Sequence, residues 1–142
     1  VVKAALPLEQ TAEAFLHVLT DLAAQVAPDL RRVDGAGFAM PGPFDYLEGV
    51  SWMRHKMPYL YGVNVRHALA AQFGWHPEQV RFLNDAAAFL MGEIGAGAAR
   101  GVSRVVGITL GTGIGSGFAV DGHLKTNGPG VPPGGEIWNV PF

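Results

Sequence analysis

Val105-Val106-Gly107-Ile108-Thr109-Leu110-Gly111-Thr112-Gly113-Ile114-Gly115-Ser116-Gly117-Phe118-Ala119-Val120-Asp121-Gly122 is the stretch from which the rest of the chain is read. It opens as a β-branched apolar run, places glycine at alternate positions, and resumes as an apolar run ending on Asp121-Gly122, a dipeptide suited to a tight hairpin turn. The pattern predicts strand, turn, strand. Residues without a Cβ let main-chain N–H groups approach an anion closely, and Thr112 adds a hydroxyl, so the turn is a candidate phosphate cradle. A glycine-rich hairpin needed only for tight packing would carry the same letters.

The alternation argues against a dinucleotide site, which needs G-x-G-x-x-G opening a helix. Starting from Gly113 and Gly115, the third glycine would fall on Phe118, and the residues from there to Gly122 read as strand and turn rather than helix. Composition narrows the classes further. The chain has 142 residues, 49% of them hydrophobic and 15% charged, enough for one globular core. Net charge is −2 and the Lys and Arg residues are scattered apart from Arg31-Arg32, so no basic stripe tracks a nucleic acid. Cysteine is absent, which removes disulfides and thiolate metal sites from this segment. No apolar run reaches membrane-spanning length and no signal-peptide pattern opens the chain, so a cytoplasmic location is the expectation. The chain begins Val1-Val2 and ends Asn139-Val140-Pro141-Phe142 directly after a loop, so a fragment of a longer protein is expected.

Between Leu8 and Pro28, Phe15, Val18, Leu19, Leu22, Ala23 and Val26 follow helical spacing, with Asp21 and Gln25 off the stripe. The spacing predicts a core-facing helix stopped by Pro28. Val33 to Met40 reads as a short buried strand ended by Pro41-Gly42-Pro43, and 45–61 as a loop rich in Trp52, Met53, Met57, Tyr59 and Tyr61. Those aromatics suit either a sugar-binding cleft or a packing cluster under a long loop. Val63 to Phe73 reads as a helix led in by Asn64 and closed by Gly74, while His67 and His76 lack partners at metal-ligand spacing.

Gln79 to Leu83 is strand-like and runs into Asn84-Asp85, then into Ala86-Ala87-Ala88-Phe89-Leu90-Met91-Gly92-Glu93 as a helix. Two polar side chains thus stand at the C-terminal edge of a sheet, where open α/β sheets bind ligands. Asp85 can accept a proton from a substrate hydroxyl while Asn84 holds a neighbouring one. Both residue types are also ordinary helix N-caps. Gly92, Gly95 and Gly97 in and after that helix point to close backbone approach, a hinge, or a frayed end.

Taken in order, Pro41-Gly42-Pro43, Asn84-Asp85-Ala86-Ala87-Ala88-Phe89, Leu110-Gly111-Thr112-Gly113-Ile114-Gly115-Ser116-Gly117 and Gly134-Gly135-Glu136 resemble the ROK family of sugar kinases and related repressors. The resemblance covers the chain from about Val33 onward. It implies an α/β fold of the actin-like ATPase (ribonuclease H-like) class, with 1–100 as the end of a small lobe carrying Asp85 and 101–142 as the start of a large lobe. It also implies an ATP-dependent, glucokinase-like transferase of carbohydrate metabolism. In that likeness Asp85 is the catalytic base, and Asn84, Glu136, Asn139, Gly42 and Pro43 lie at the hexose. Gly111, Thr112, Gly113 and Gly115 face the phosphates of ATP, used with Mg²⁺, and a homodimer without nucleic-acid or membrane partners is expected. These roles match what phosphoryl transfer to an alcohol requires, namely positioning and charge stabilisation.

The departures are specific. The aspartate and paired glycines of the family's first phosphate-binding hairpin do not occur before Val33, so the isolated chain is expected to lack one phosphate-binding element. Asn139 stands where the family often has a zinc-ligating histidine beside a cysteine cluster, so zinc is not expected. The alternative is a ROK-type sugar-responsive repressor, or a sugar-binding protein without catalysis. Regulators of that kind add an N-terminal helix-turn-helix, which this sequence does not show.

Overall fold

The computed structural model describes residues 1–7, 9–27, 29–111 and 113–137. The chain divides into two compact units, Val1–Leu83 and Asn84–Phe142.

The first unit begins with helix α1 (Ala12–Val26), capped by the Thr11 hydroxyl, which accepts from the Ala14 N–H at 3.1 Å. Its inward face is carried by Phe15 and Leu16, with Ala12, Leu19 and Ala23 packed against the same core. Val26, placed on the stripe by its spacing, is exposed at the last residue of the helix. The expected stop at Pro28 lies outside the described residues.

Strand β1 (Ala36–Met40) is shorter than the sequence suggests and only Met40 on it is buried. A 3-10 turn at Leu30–Arg32 precedes it, residues 33–35 stay outside the strand, and Gly37 offers no side chain to pack. The stretch expected to be a loop contains a small antiparallel ladder of β2 (Phe44–Asp45) and β3 (Val50–Ser51). Asp45 closes the connection between them: its Oδ1 accepts from the N–H groups of Leu47 at 3.0 Å and Glu48 at 2.9 Å, an Asx-type turn.

Helix α2 (Val65–Phe73) comes next, its start fixed by the Asn64 Oδ1 accepting from the His67 N–H at 2.9 Å and its end by Gly74 in the left-handed region at φ 70°. Strand β4 (Val80–Asn84) pairs with β1. Met53, Leu60, Val65, Leu69 and Val80 are completely buried and form the centre of this unit.

The aromatic cluster of 45–61 separates into two sets. Tyr59 packs toward the core with its ring 6.2 Å from that of Phe15, and burial raises its phenol pKa. Trp52 and Tyr61 are exposed, edge to face at 5.7 Å, with the Arg54 guanidinium 3.9 Å above the Tyr61 ring.

The second unit is helix α3 (Asp85–Ala96) packed on the hairpin of β5 (Arg104–Leu110) and β6 (Ile114–Val120), with β7 (His123–Leu124) added beyond β6. The ladder runs in register from Arg104 opposite Val120 to Leu110 opposite Ile114. Asp121 and Gly122 turn the chain with φ of 49° and 77°, the doubly positive geometry of a type I′ hairpin. Among the described residues no helix is long and apolar enough to cross a membrane.

Candidate functional site

The end of β4 sets the geometry. Val80 and Phe82 point inward by the alternation of the strand, and at Asn84 the chain turns into α3. Asn84, not Asp85, is the helix cap: its Oδ1 accepts from the N–H groups of Ala86 at 2.9 Å and Ala87 at 3.2 Å. Asp85 is the first helical residue and is exposed. Its only hydrogen bond among the described residues is a local one, Oδ1 accepting from the Ala86 N–H at 2.9 Å. A carboxylate in the first turn also suits the positive end of the helix dipole.

The amide end of Asn84 faces elsewhere. Its Nδ2 donates to Glu136 Oε1 at 3.1 Å, joining residues 52 positions apart in sequence. Glu136 reaches that place through Pro132-Pro133-Gly134-Gly135, where both glycines hold positive φ (72° and 74°) that a side chain would oppose. A Cβ on Gly135 would also come within 3.2 Å of the Lys125 carbonyl oxygen. Of the residues expected at the site, Asn84 adjoins Asp85 in sequence and bonds Glu136.

The glycines of the hairpin divide into two groups. A Cβ on Gly107 would stand 3.1 Å from Leu90 Cβ, and one on Gly117 would stand 3.2 Å from the Ala87 Cα. On Gly115 it would lie 2.9 Å from Ala86 Cβ and closer still to the Thr109 hydroxyl. These three glycines let α3 settle on the sheet. Gly111 and Gly113 differ, since a Cβ there would meet no described atom within 4 Å. They frame the turn between β5 and β6, with the Gly111 N–H donating to the Gly113 carbonyl at 3.0 Å. The space beside the backbone at Gly111 and Gly113 is thus open, whereas at Gly107, Gly115 and Gly117 it is filled. Gly115 has a packing reason to be glycine in addition to any place at the phosphates.

Because Ala86 lies over Gly115 and Ala87 over Gly117, the helix start bearing Asn84 and Asp85 rests on the strand that leaves the glycine turn. Thr112 and Asn139, both expected at the site, lie outside the described residues. Gly42 and Pro43 belong to the first unit, in the segment between β1 and β2, joined by a cis peptide bond. Among the described residues no three His, Asp or Glu side chains gather at metal-ligand spacing.

One residue that sequence reading passes over is Ser116. It is 3% exposed, and its hydroxyl donates to the Gly135 carbonyl at 2.7 Å and accepts from the Ile137 N–H at 3.0 Å. A hydroxyl at an inward position of an otherwise apolar strand is the signal that points to it.

Known proteins resemble this chain in sequence and in fold. The family model described as ROK family matches residues 2–136. The glucokinase of Thermotoga maritima is 36% identical over 104 residues, which is 73% of this chain and 31% of that protein. The ROK hexokinase from Thermus thermophilus superposes with a TM-score of 0.74 at 28% identity, covering 89% of this chain and 41% of that one. A ROK family glucokinase from Streptomyces griseus, solved in complex with glucose and AMPPNP, gives a TM-score of 0.72 at 26% identity over 89% of this chain and 38% of its own. The chain spans about a third of the length of the curated relatives it matches. Its fold is that of the actin-like ATPases, of which it carries part. From motif order, fold and family match together, the chain belongs to the ROK family.

Proposed function

We propose that this chain is part of a cytoplasmic ATP-dependent hexose kinase, glucokinase-like, with Asp85 as general base. The observation that carries the reading is the division of labour at the start of α3. Asn84 caps the helix, which leaves the exposed Asp85 carboxylate with only the shared Ala86 N–H as a partner among the described residues, and the same Asn84 bonds Glu136.

In this reading Asn84 and Glu136 bind sugar hydroxyls, an amide and a carboxylate offering both a donor and acceptors to the ring. Asn139, Gly42 and Pro43 complete the hexose contacts. Asp85 takes the proton of the hydroxyl that becomes phosphorylated, so that the oxygen attacks as it loses its proton. Backbone N–H groups of the turn around Gly111 to Gly115, with Thr112, hold the phosphates in line with that oxygen. Bound ATP with Mg²⁺ supplies the phosphoryl group and the metal charge that screens it. Zinc has no part in this reading. Residues 1–100 as the end of one lobe and 101–142 as the start of the other remain part of it, to be set against the grouping of α3 with the hairpin.

The test is hexose-dependent ADP release by the full-length protein with MgATP, across glucose, mannose, N-acetylglucosamine and N-acetylgalactosamine. Release is expected with at least one sugar and none without sugar. Calorimetric binding of a sugar with no ADP release would instead identify a sugar sensor of the repressor type.

A further inference from the structure

Ser116 sits on β6, three residues after Gly113, at a position its neighbours leave apolar. Burying a hydroxyl among Ile, Gly, Phe and Ala is unfavourable unless its hydrogen-bonding capacity is used. Here it is used in both directions, and both partners flank the same residue. The Ser116 hydroxyl gives its proton to the carbonyl of Gly135 and takes the N–H of Ile137, so the two main-chain groups that bracket Glu136 are pinned to the strand leaving the glycine turn.

The pinned segment has little other regular support. It is a short 3-10 turn, Pro133–Gly135, with Gly134 and Gly135 at positive φ, and it joins no strand ladder among the described residues. The Glu136 carboxylate must nevertheless stand where Asn84 Nδ2 reaches it.

We propose that Ser116 is a positioning residue for the hexose site: it fixes the backbone on both sides of Glu136 and thereby sets the Glu136–Asn84 pair that receives the sugar. This rests on the assignment of Glu136 and Asn84 to the hexose. The consequence is a change in sugar recognition rather than in phosphate binding or chemistry.

The experiment compares Ser116→Ala with Ser116→Thr, which keeps a hydroxyl, in the full-length protein. Selective ¹⁵N labelling follows the Ile137 backbone amide and the Asn84 side-chain amide, and steady-state kinetics separates hexose KM from ATP KM and kcat. Ser116→Ala is expected to speed Ile137 amide exchange at least about tenfold and to shift the Asn84 side-chain resonance. Hexose KM should rise about tenfold to hundredfold, with kcat and ATP KM within about twofold, and Ser116→Thr should recover most of the loss. Unchanged Ile137 exchange and Asn84 resonance in Ser116→Ala overturn the proposal. Equal losses in hexose KM, ATP KM and kcat also overturn it, because they mark a general folding defect. If the wild-type protein phosphorylates no hexose, the kinase reading fails, and the two amide signals still judge Ser116 without any sugar present.

Discussion

Asp85→Asn in the full-length protein is expected to lower kcat by roughly 10²–10⁴-fold at saturating hexose and MgATP, the range associated with losing a general base. The amide keeps the shape and one acceptor oxygen but cannot take the proton of a hydroxyl. Hexose affinity should change by no more than about threefold, since Asn84 and Glu136 supply the ring contacts in this reading. Helix stability should hardly move. The cap is Asn84, whose Oδ1 already satisfies the N–H groups of Ala86 and Ala87, and Asp85 adds a favourable charge to the first turn and a second acceptor for the Ala86 N–H, which an asparagine oxygen can keep. A purely structural Asp85 would tolerate the exchange with near-wild-type kcat. Rate and thermal melting of the same preparation therefore separate chemistry from folding.

The second large effect lies in the hairpin, where neighbouring glycines should respond in opposite ways. Gly113→Val should weaken MgATP binding about tenfold to hundredfold, on the scale of lost hydrogen bonds to a charged group, while hexose binding and melting temperature stay close to wild type. Space supports that expectation, because a Cβ on Gly113 meets no described atom within 4 Å. Gly115→Val should instead destabilise the protein by about 1–3 kcal/mol, since the added atoms run into Ala86 and Thr109 beneath the start of α3. Calorimetry with each ligand and denaturant unfolding of both variants make the comparison. Equal loss of both ligands in Gly113→Val would show a folding defect and remove the phosphate assignment.

The features legible in the sequence were mostly local. Asn64 and Gly74 bracket α2 because a side-chain acceptor and a left-handed residue have few other uses at helix ends, and the ends fall where those letters stand. Asp121-Gly122 marked the hairpin turn for the same reason. The ladder of β2 and β3 was not legible, because it depends on the Asp45 carboxylate folding back on Leu47 and Glu48 within a stretch that reads as an aromatic-rich loop.

The glycine run was legible as a hairpin but not as two groups of glycines. Which of them face α3 depends on where Ala86, Ala87 and Leu90 arrive from well upstream in the chain. Asn84 and Asp85 were both readable as caps or as site residues, and only the hydrogen bonds assign the cap to Asn84. Ser116 was hidden by its company, since a serine among glycines reads as one more small residue until Gly135 and Ile137 are seen on either side of its hydroxyl.

The central claim is that the Asp85 carboxylate meets the hydroxyl to be phosphorylated. A crystal structure of the full-length protein with a hexose and a non-hydrolysable ATP analogue measures this directly. The expected result is a carboxylate oxygen of Asp85 within about 2.6–3.2 Å of one sugar hydroxyl, with that hydroxyl oxygen facing the terminal phosphate held over Gly111 and Gly113. A bound hexose whose hydroxyls all lie beyond hydrogen-bond reach of Asp85, directly or through one water, would contradict it.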